Sequence, residues 1–374
     1  MMTNEQRQYP TALYLHVPFC ERICSYCDFF KIQYHKGFVQ SYLQALSLEI
    51  EEAKIHHKMK TIYIGGGTPS VLSERELGRL LQLVQAFCNA ETEWTVEINP
   101  NDATLSKMEI FKSHGVNRFS IGIQTFQDSL LQQLHRSHSS VQAHQALKTL
   151  RKYNINFSAD LIYGLPNQTM EMLQNDLEML LQYQPPHLSC YALQVEPHTL
   201  MSIQHIPQTD DERLREQYDW ILGYLRSRGY HRYEVSNFAL PGYESLHNQT
   251  YWKGLEYYGF GPGASGYLAN QRYSNTKKFQ DYIKGIWGRE IQSLSSKEQE
   301  FEFLMLGLRM EEGISLEDYR VRFHASFQDN YQQDLPPLLK EGLLMIKDGH
   351  LSVSDKGFYI LDHILLRLTQ HLEY

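Results

Sequence analysis

Tyr14-Leu15-His16-Val17-Pro18-Phe19-Cys20-Glu21-Arg22-Ile23-Cys24-Ser25-Tyr26-Cys27-Asp28-Phe29 spans the end of the first apolar run and the segment after it. Ala12–Val17 reads as a buried strand, and the cysteines follow it with the spacing C-x3-C-x2-C. Three of the five cysteines thus fall within eight residues, while Cys88 and Cys190 stand alone. An odd count clustered in this way argues against a disulfide framework. In a reducing cytosol a tight cysteine cluster more often means metal. Three soft thiolates on one loop can hold three irons of a cubane cluster, leaving one iron open to a small molecule. Zinc is the rival. A structural zinc site needs four ligands, and His16 or Asp28 could supply the missing one. Cys88, on an apolar helix end, and Cys190, in a strand, read as small buried hydrophobes.

Outward from this loop, short runs rich in Val, Ile, Tyr and Phe alternate with helical spacing. The expected strands are Ala12–Val17, Thr61–Ile64, Trp94–Ile98, Arg118–Ile123, Phe157–Ile162 and His187–Gln194. The expected helices are Phe38–Ile55, Ser73–Phe87, Leu105–His114, Val141–Tyr153 and Met170–Leu181. Ser73 and Glu76 have capping-box spacing. Six strands alternating with helices imply a parallel α/β sheet with right-handed crossovers. An incomplete barrel and a doubly wound sheet both fit this periodicity.

After Pro197 the pattern changes. Asp210–Arg228 is one long amphipathic helix, and Tyr230–Ser274 reads as irregular backbone rich in Gly, Tyr and Asn. Helical spacing returns near Glu298. Leu335–Glu341, Leu344–Ile346, Leu351–Val353 and Lys356–Arg367 suggest a helix-and-hairpin, winged-helix-like domain. With no basic cluster there, it reads as a lid or docking domain. The expected organisation is residues 1–200, 201–290 and 291–374. The chain has 374 residues, is 42% apolar, and carries a net charge of −8. That balance is a poor one for gripping nucleic acid. No apolar run approaches the roughly 20 residues needed to span a bilayer. The polar start, Met1 to Pro10, argues against a secretory signal, so a cytoplasmic location is expected.

The cysteine spacing after a first strand, with Tyr26 before the last cysteine, resembles the radical S-adenosylmethionine superfamily. The resemblance implies a partial (β/α)6 TIM-like barrel in which Cys20, Cys24 and Cys27 hold a [4Fe–4S] cluster. The open iron would chelate S-adenosylmethionine, and an electron from the cluster would cleave the sulfonium. Gly65-Gly66-Gly67-Thr68-Pro69 after the second strand, otherwise a plain turn, is similar to the family's segment for the methionine amino group. Glu97, Gln124, Arg136 and Asp160 all fall at or beyond expected strand ends, where function gathers in parallel β/α folds. Any one of them alone reads as an ordinary polar residue. The resemblance makes Tyr14, Tyr26, Gly66, Gly67, Thr68 and Glu97 cofactor contacts. It places Gln124, Arg136 and Asp160 in the adjacent part of the pocket, where the oxidases described next hold a second cofactor molecule.

His16 to Cys20, the Gly-Gly-Gly-Thr-Pro segment and Asp160 to Pro166 resemble the oxygen-independent coproporphyrinogen oxidase branch over nearly the whole chain. The oxidases carry another cysteine two places after the last cluster cysteine, and usually a longer N-terminal segment. Here position 29 is Phe29, and nineteen residues precede the cluster, as in the heme chaperone relatives. His247-Asn248-Gln249-Thr250-Tyr251-Trp252 fits the H-N-x-x-Y-W segment of that same group. A neutral imidazole is a common axial ligand for heme iron. His247, Asn248, Tyr251 and Trp252 are therefore the expected heme contacts, against the plainer reading of a structural turn. The implied function is heme binding and transfer to an acceptor protein, such as a respiratory b-type cytochrome at the membrane, with no catalysis required. The alternatives are conversion of coproporphyrinogen III to protoporphyrinogen IX, or radical modification of the heme ring.

Two segments invite over-reading. Gly261 to Gly266 formally matches G-x-G-x-x-G but has no preceding strand in the reading above, so it is not a dinucleotide site. Glu49–Glu52 reads as a solvated helix face.

Overall fold

The computed structural model describes residues 9–370, so most of the polar start and the last four residues of the C-terminal segment lie outside it. Six strands run parallel in chain order. They are β1 (Ala12–Val17), β2 (Thr61–Gly66), β3 (Glu93–Ile98), β4 (Arg118–Gln124), β5 (Asn156–Tyr163) and β6 (His187–Ala192). The helices that return the chain include α1 (Lys36–Glu52), α2 (Glu74–Gln85), α3 (Leu105–His114), α4 (Asp128–Gln133), α5 (Ser140–Lys152) and α6 (Met170–Leu181). Each strand alternates. Ile62, Ile64, Val96, Phe119, Ile121, Phe157, Ala159 and Leu161 face the helices and are buried in one core. The residues between them, Tyr63, Glu97, Ser120 and Asp160, line a single cavity, so the sheet wraps around its polar face. The capping box at Ser73 and Glu76 is present.

After α7 (Asp211–Ser227) the chain departs from the expected irregular backbone. Two short strands, β7 (His231–Arg232) and β8 (Asn237–Ala239), extend the sheet antiparallel beyond β6. Helix α8 (Leu246–Trp252) follows, and then β9 (Tyr257–Phe260) returns to pair in parallel with β1. A meander of β10 (Ser265–Leu268), β11 (Gln271–Ser274) and β12 (Glu290–Ser293) completes that edge. The order is β12-β11-β10-β9-β1-β2-β3-β4-β5-β6-β8-β7, an open sheet among the described residues. These strands have at most four residues, too few to show a period of two, and their frequent glycines read as turns. Gly261 follows β9 at φ 103°, where an added Cβ would strike the His16 carbonyl oxygen. The G-x-G-x-x-G match thus joins two antiparallel strands and opens no βαβ unit.

Glu49 overturns the expectation of a solvated face. Its side chain is fully buried on α1, where it accepts hydrogen bonds from Gly261 N at 2.9 Å, Asn275 Nδ2 at 2.7 Å and Tyr282 OH at 2.7 Å. Arg289 supplies the counter-charge at 3.0 Å. Gly261 comes from the segment read as irregular backbone and the other three partners follow it, all far along the chain, so nothing near Glu49 announced its burial. Glu52, three residues on, is exposed as expected and accepts from Trp287 Nε1 at 2.7 Å.

The C-terminal elements form a second core around Leu304, Tyr319, Phe327, Tyr331, Leu351 and Ile364. Its hairpin, Leu344–Lys347 with His350–Val353, turns at Asp348 and Gly349, both at positive φ (50° and 78°), as a two-residue type I′ turn requires. It joins α7 through Arg226 and Asp355 (3.3 Å), and through Arg215 stacked 4.8 Å from the Tyr359 ring. No helix among the described residues is long and apolar enough to cross a membrane.

Candidate functional site

The cysteine loop leaves β1 and is closed at its base. Phe19 and Cys20 pair with Ile32 and Gln33, and Tyr34 N donates to the Cys20 carbonyl at 2.8 Å. Its far side is tied to α4, where Ser25 N donates to Leu134 O (3.1 Å) and Ser25 Oγ to Gln133 O (2.9 Å). Cys20, Cys24 and Cys27 consequently line one cavity of about 490 Å³ at the carboxyl ends of the strands. Burial, and then the neighbouring Cys27 and Cys24, push the Cys20 thiol up to about 12. Burial also raises Cys27. Three thiolates so close are stable only beside concentrated positive charge, which a metal centre supplies. Among the described residues no three Cys, His, Asp or Glu side chains converge to hold a single ion. Three thiols that share one cavity suit a multi-iron cluster, each iron taking one thiolate. His16 is not a fourth ligand. Its Nε2 lies 2.7 Å from Phe30 O and its Nδ1 3.0 Å from Tyr14 OH, and burial lowers it to about 4.

The glycine segment lies flat against the root of this loop. Gly67 N donates to Val17 O and Thr68 N to Phe19 O, both at 2.7 Å. A Cβ on Gly67 would meet Phe19 O at 2.7 Å, and one on Gly66, at φ 111°, would strike the His16 ring at 2.5 Å. Glu97, on the next strand, accepts from Gly66 N at 3.0 Å and from Tyr63 OH at 2.9 Å. It lines the cavity, and desolvation pushes its carboxyl up to about 7. Asp160 is raised to about 6 by desolvation, against hydrogen bonds that include Ser120 Oγ at 2.9 Å. Gln124 sits at φ 68°, at an irregularity in the β4–β5 pairing that turns the strand end toward the cavity. Arg136 donates to Cys24 Sγ at 3.4 Å, and to Asn99 Oδ1 and Gly122 O at 2.8 Å each.

Of the residues expected at the cofactor site, Cys20, Cys24, Cys27, Tyr26, Gly66, Gly67, Thr68, Glu97, Gln124, Arg136 and Asp160 all line this cavity. Tyr14 does not. It lies deeper, stacked on Tyr63 with ring centroids 6.2 Å apart. Tyr63, Asn99, Ser120 and Tyr191 line the cavity and were not anticipated. Ser120 and Tyr191 hold the same inward register as Glu97 and Asp160, and that alternation was the signal available for them.

Helix α8, which carries the expected heme contacts, packs its histidine inward. His247 is buried against the starts of β2 and β3. Its Nδ1 is 2.8 Å from Thr61 Oγ1, its Nε2 is 2.7 Å from Tyr251 OH, and its ring stacks 5.1 Å from Tyr63. Glu93 holds the helix start, accepting from His247 N at 2.9 Å. Both ring nitrogens are therefore occupied, and burial lowers the imidazole to about 3. Asn248 and Trp252 are half-buried on the same helix.

A wrapped β/α sheet with three thiols at its strand ends defines a radical S-adenosylmethionine protein, and residues 14–180 match the radical SAM superfamily model. Residues 294–360 match the HemN C-terminal domain. The chain is 39% identical to the heme chaperone HemW of Lactococcus lactis, over 96% of this chain and 97% of that one. It is 36% identical to HemW of Bacillus subtilis, over 92% and 96%. It is also 33% identical to mouse mitochondrial radical S-adenosyl methionine domain-containing protein 1, over 97% and 88%. Among solved structures, coproporphyrinogen III oxidase (HemN) from Escherichia coli superposes with a TM-score of 0.83 at 23% identity, covering 97% of this chain and 90% of that one. The chain belongs to the HemW family within the radical SAM superfamily. Its cofactors are accordingly a [4Fe–4S] cluster and S-adenosylmethionine.

Proposed function

We propose that this chain is a heme chaperone: it binds heme and passes it to an acceptor protein. The observation that carries the reading is similarity to proteins named heme chaperones over nearly the whole length, C-terminal domain included. Phe29, where the oxidases carry a further cysteine, points the same way. Cys20, Cys24 and Cys27 hold the cluster, and Tyr26, Gly66, Gly67, Thr68 and Glu97 receive S-adenosylmethionine beside it. When bound, the cluster supplies an electron for cleaving the sulfonium. The protein's own part is to present a carboxylate at Glu97, backbone polar groups at Gly66 and Gly67, and a guanidinium at Arg136. Gln124 and Asp160 face the rest of the cavity.

Heme docks at α8 only after that helix loosens, because His247 must exchange the Tyr251 hydroxyl for iron. Burial keeps the ring neutral while the helix is closed, so no proton has to leave before the exchange. The acceptor is a b-type cytochrome met transiently at the membrane by a cytoplasmic protein, in which no helix among the described residues is long and apolar enough to cross it. Residues 1–200 carry the cluster, 201–290 carry α8 and the sheet edges, and 291–374 serve as a docking domain. The test is transfer. Protein loaded with heme is mixed with an apo-cytochrome b, and the Soret band is followed on each after separation. Movement of heme to the acceptor supports the reading. Failure to bind heme at all refutes it.

The competing reading, oxidation of coproporphyrinogen III, draws on the oxidase-like fold. Likeness at 23% identity speaks for the fold alone.

A further inference from the structure

Cys20 and Cys24 are joined by one directed run of hydrogen bonds across the cavity. Arg136 Nη1 donates to Cys24 Sγ at 3.4 Å. Its Nη2 donates to Asn99 Oδ1 at 2.8 Å. Asn99 Nδ2 donates to Thr68 Oγ1 at 3.3 Å, and Thr68 Oγ1 donates to Cys20 Sγ at 4.0 Å. Every donor points away from the guanidinium, so each bond polarises the next. We propose that Asn99 is a positioning residue that shares the charge of Arg136 between two cluster thiolates, directly at Cys24 and through Thr68 at Cys20.

An amide suits this place because one planar group both accepts and donates. A carboxylate would take the arginine bond and offer nothing to Thr68. Asn99 is also held from behind. Its backbone N–H donates to Ser70 Oγ at 3.1 Å, Ser70 Oγ donates to Asp102 Oδ2 at 2.9 Å, and Lys107 neutralises Asp102 at 2.8 Å. The next turn reaches the cysteine loop itself, where Asn101 Nδ2 donates to Glu21 Oε2 at 3.3 Å and to Ser137 Oγ at 3.0 Å. Hydrogen bonds to ligating sulfur withdraw electron density and make a cluster easier to reduce. Losing Asn99 therefore acts on two sulfurs at once. Thr68 Oγ1 loses the donor behind it, and Arg136 keeps Cys24 Sγ and Gly122 O but loses the Asn99 acceptor that fixes its fork.

The inference rests on the three cysteines holding the cluster and is independent of heme transfer. The full chain is reconstituted anaerobically as wild type, Asn99→Ala, Thr68→Val and the double variant. Iron is counted, and the midpoint potential is read by redox titration with electron paramagnetic resonance. Both single variants should shift the midpoint to more negative values at wild-type iron content. The double variant should shift little further than the larger single one, because both break the same run. Asn99→Asp, which keeps the acceptor for Arg136, serves if the alanine variant loads no iron, and it should also lower the midpoint. Unchanged potentials, or two single shifts that simply add, would overturn the inference. A wild-type chain that holds no iron would instead refute the cluster assignment beneath it.

Discussion

Cofactor binding should depend on pH through Glu97, and the size of the effect follows from its surroundings. The carboxyl is desolvated by the barrel wall and has Asp160 across the cavity, which together raise it to about 7 against two stabilising hydrogen bonds. A group raised in this way is largely protonated below about 7 and ionised above it. S-adenosylmethionine is cationic at its ammonium and sulfonium, so it binds the ionised form better. At pH 8 about nine-tenths of Glu97 is ionised and at pH 6 about one-tenth, so affinity should fall about tenfold, ~1.4 kcal/mol, as pH drops between them. Asp160, raised to about 6, titrates just below, and its protonation relieves the repulsion on Glu97 and broadens the acid end. Calorimetry on cluster-loaded, unreduced protein at both pH values measures this directly. Glu97→Gln should bind weakly and with a much flatter profile, since the amide keeps the shape and loses the charge. An affinity in the wild type that is flat from pH 6 to 8, or a Gln variant as pH-dependent as the wild type, would refute the reasoning.

Other positions make separate predictions. Gly67→Ala places a methyl 2.7 Å from Phe19 O and 2.9 Å from Pro18 C, both backbone atoms that cannot step aside. Overpacking of this kind costs ~1–3 kcal/mol, and it should appear as reduced iron loading and weakened S-adenosylmethionine affinity. Glu49→Ala strands Tyr282, Asn275, Gly261 N and Arg289. Breaking a buried pair costs ~3–5 kcal/mol, and the low end is expected, about 3, because Arg289 is 35% exposed and can rehydrate. Denaturant unfolding checks it, and a loss under 1 kcal/mol would contradict the buried network. Tyr251→Phe frees His247 Nε2, so heme affinity from Soret titration should rise in this variant and fall in His247→Ala. Equal affinities in both would remove His247 as the ligand.

What the sequence revealed depended on how much chain each signal spans. The six parallel strands and most of their helices were legible because Ile62 and Ile64, or Phe157, Ala159 and Leu161, repeat a period over enough residues. The cluster loop was legible because three cysteines in eight positions have few explanations. Strand β9 was not, since Tyr257–Phe260 is four residues with a glycine inside, and only its pairing with β1 and β10 makes it a strand. Glu49 failed for a related reason. Its partners lie more than two hundred residues away, and a local pattern of Glu-Ile-Glu-Glu reads as solvated. H-N-x-x-Y-W was found as a motif, but its burial depends on Thr61, Tyr63 and Glu93 meeting it across the barrel. Asn99 carries no charge and stands two residues after Glu97, so its sequence context gives no sign of the bonds it makes to Arg136 and Thr68.

The most direct test of the account supplies both porphyrins to the same protein. Reconstituted, reduced chain is incubated anaerobically with S-adenosylmethionine and either heme or coproporphyrinogen III. Porphyrins and 5′-deoxyadenosine are then separated by chromatography. Heme should be bound and recovered intact, and coproporphyrinogen III should keep its propionates. Conversion of coproporphyrinogen III to a divinyl product with matching 5′-deoxyadenosine would make this chain an oxidase and contradict the account.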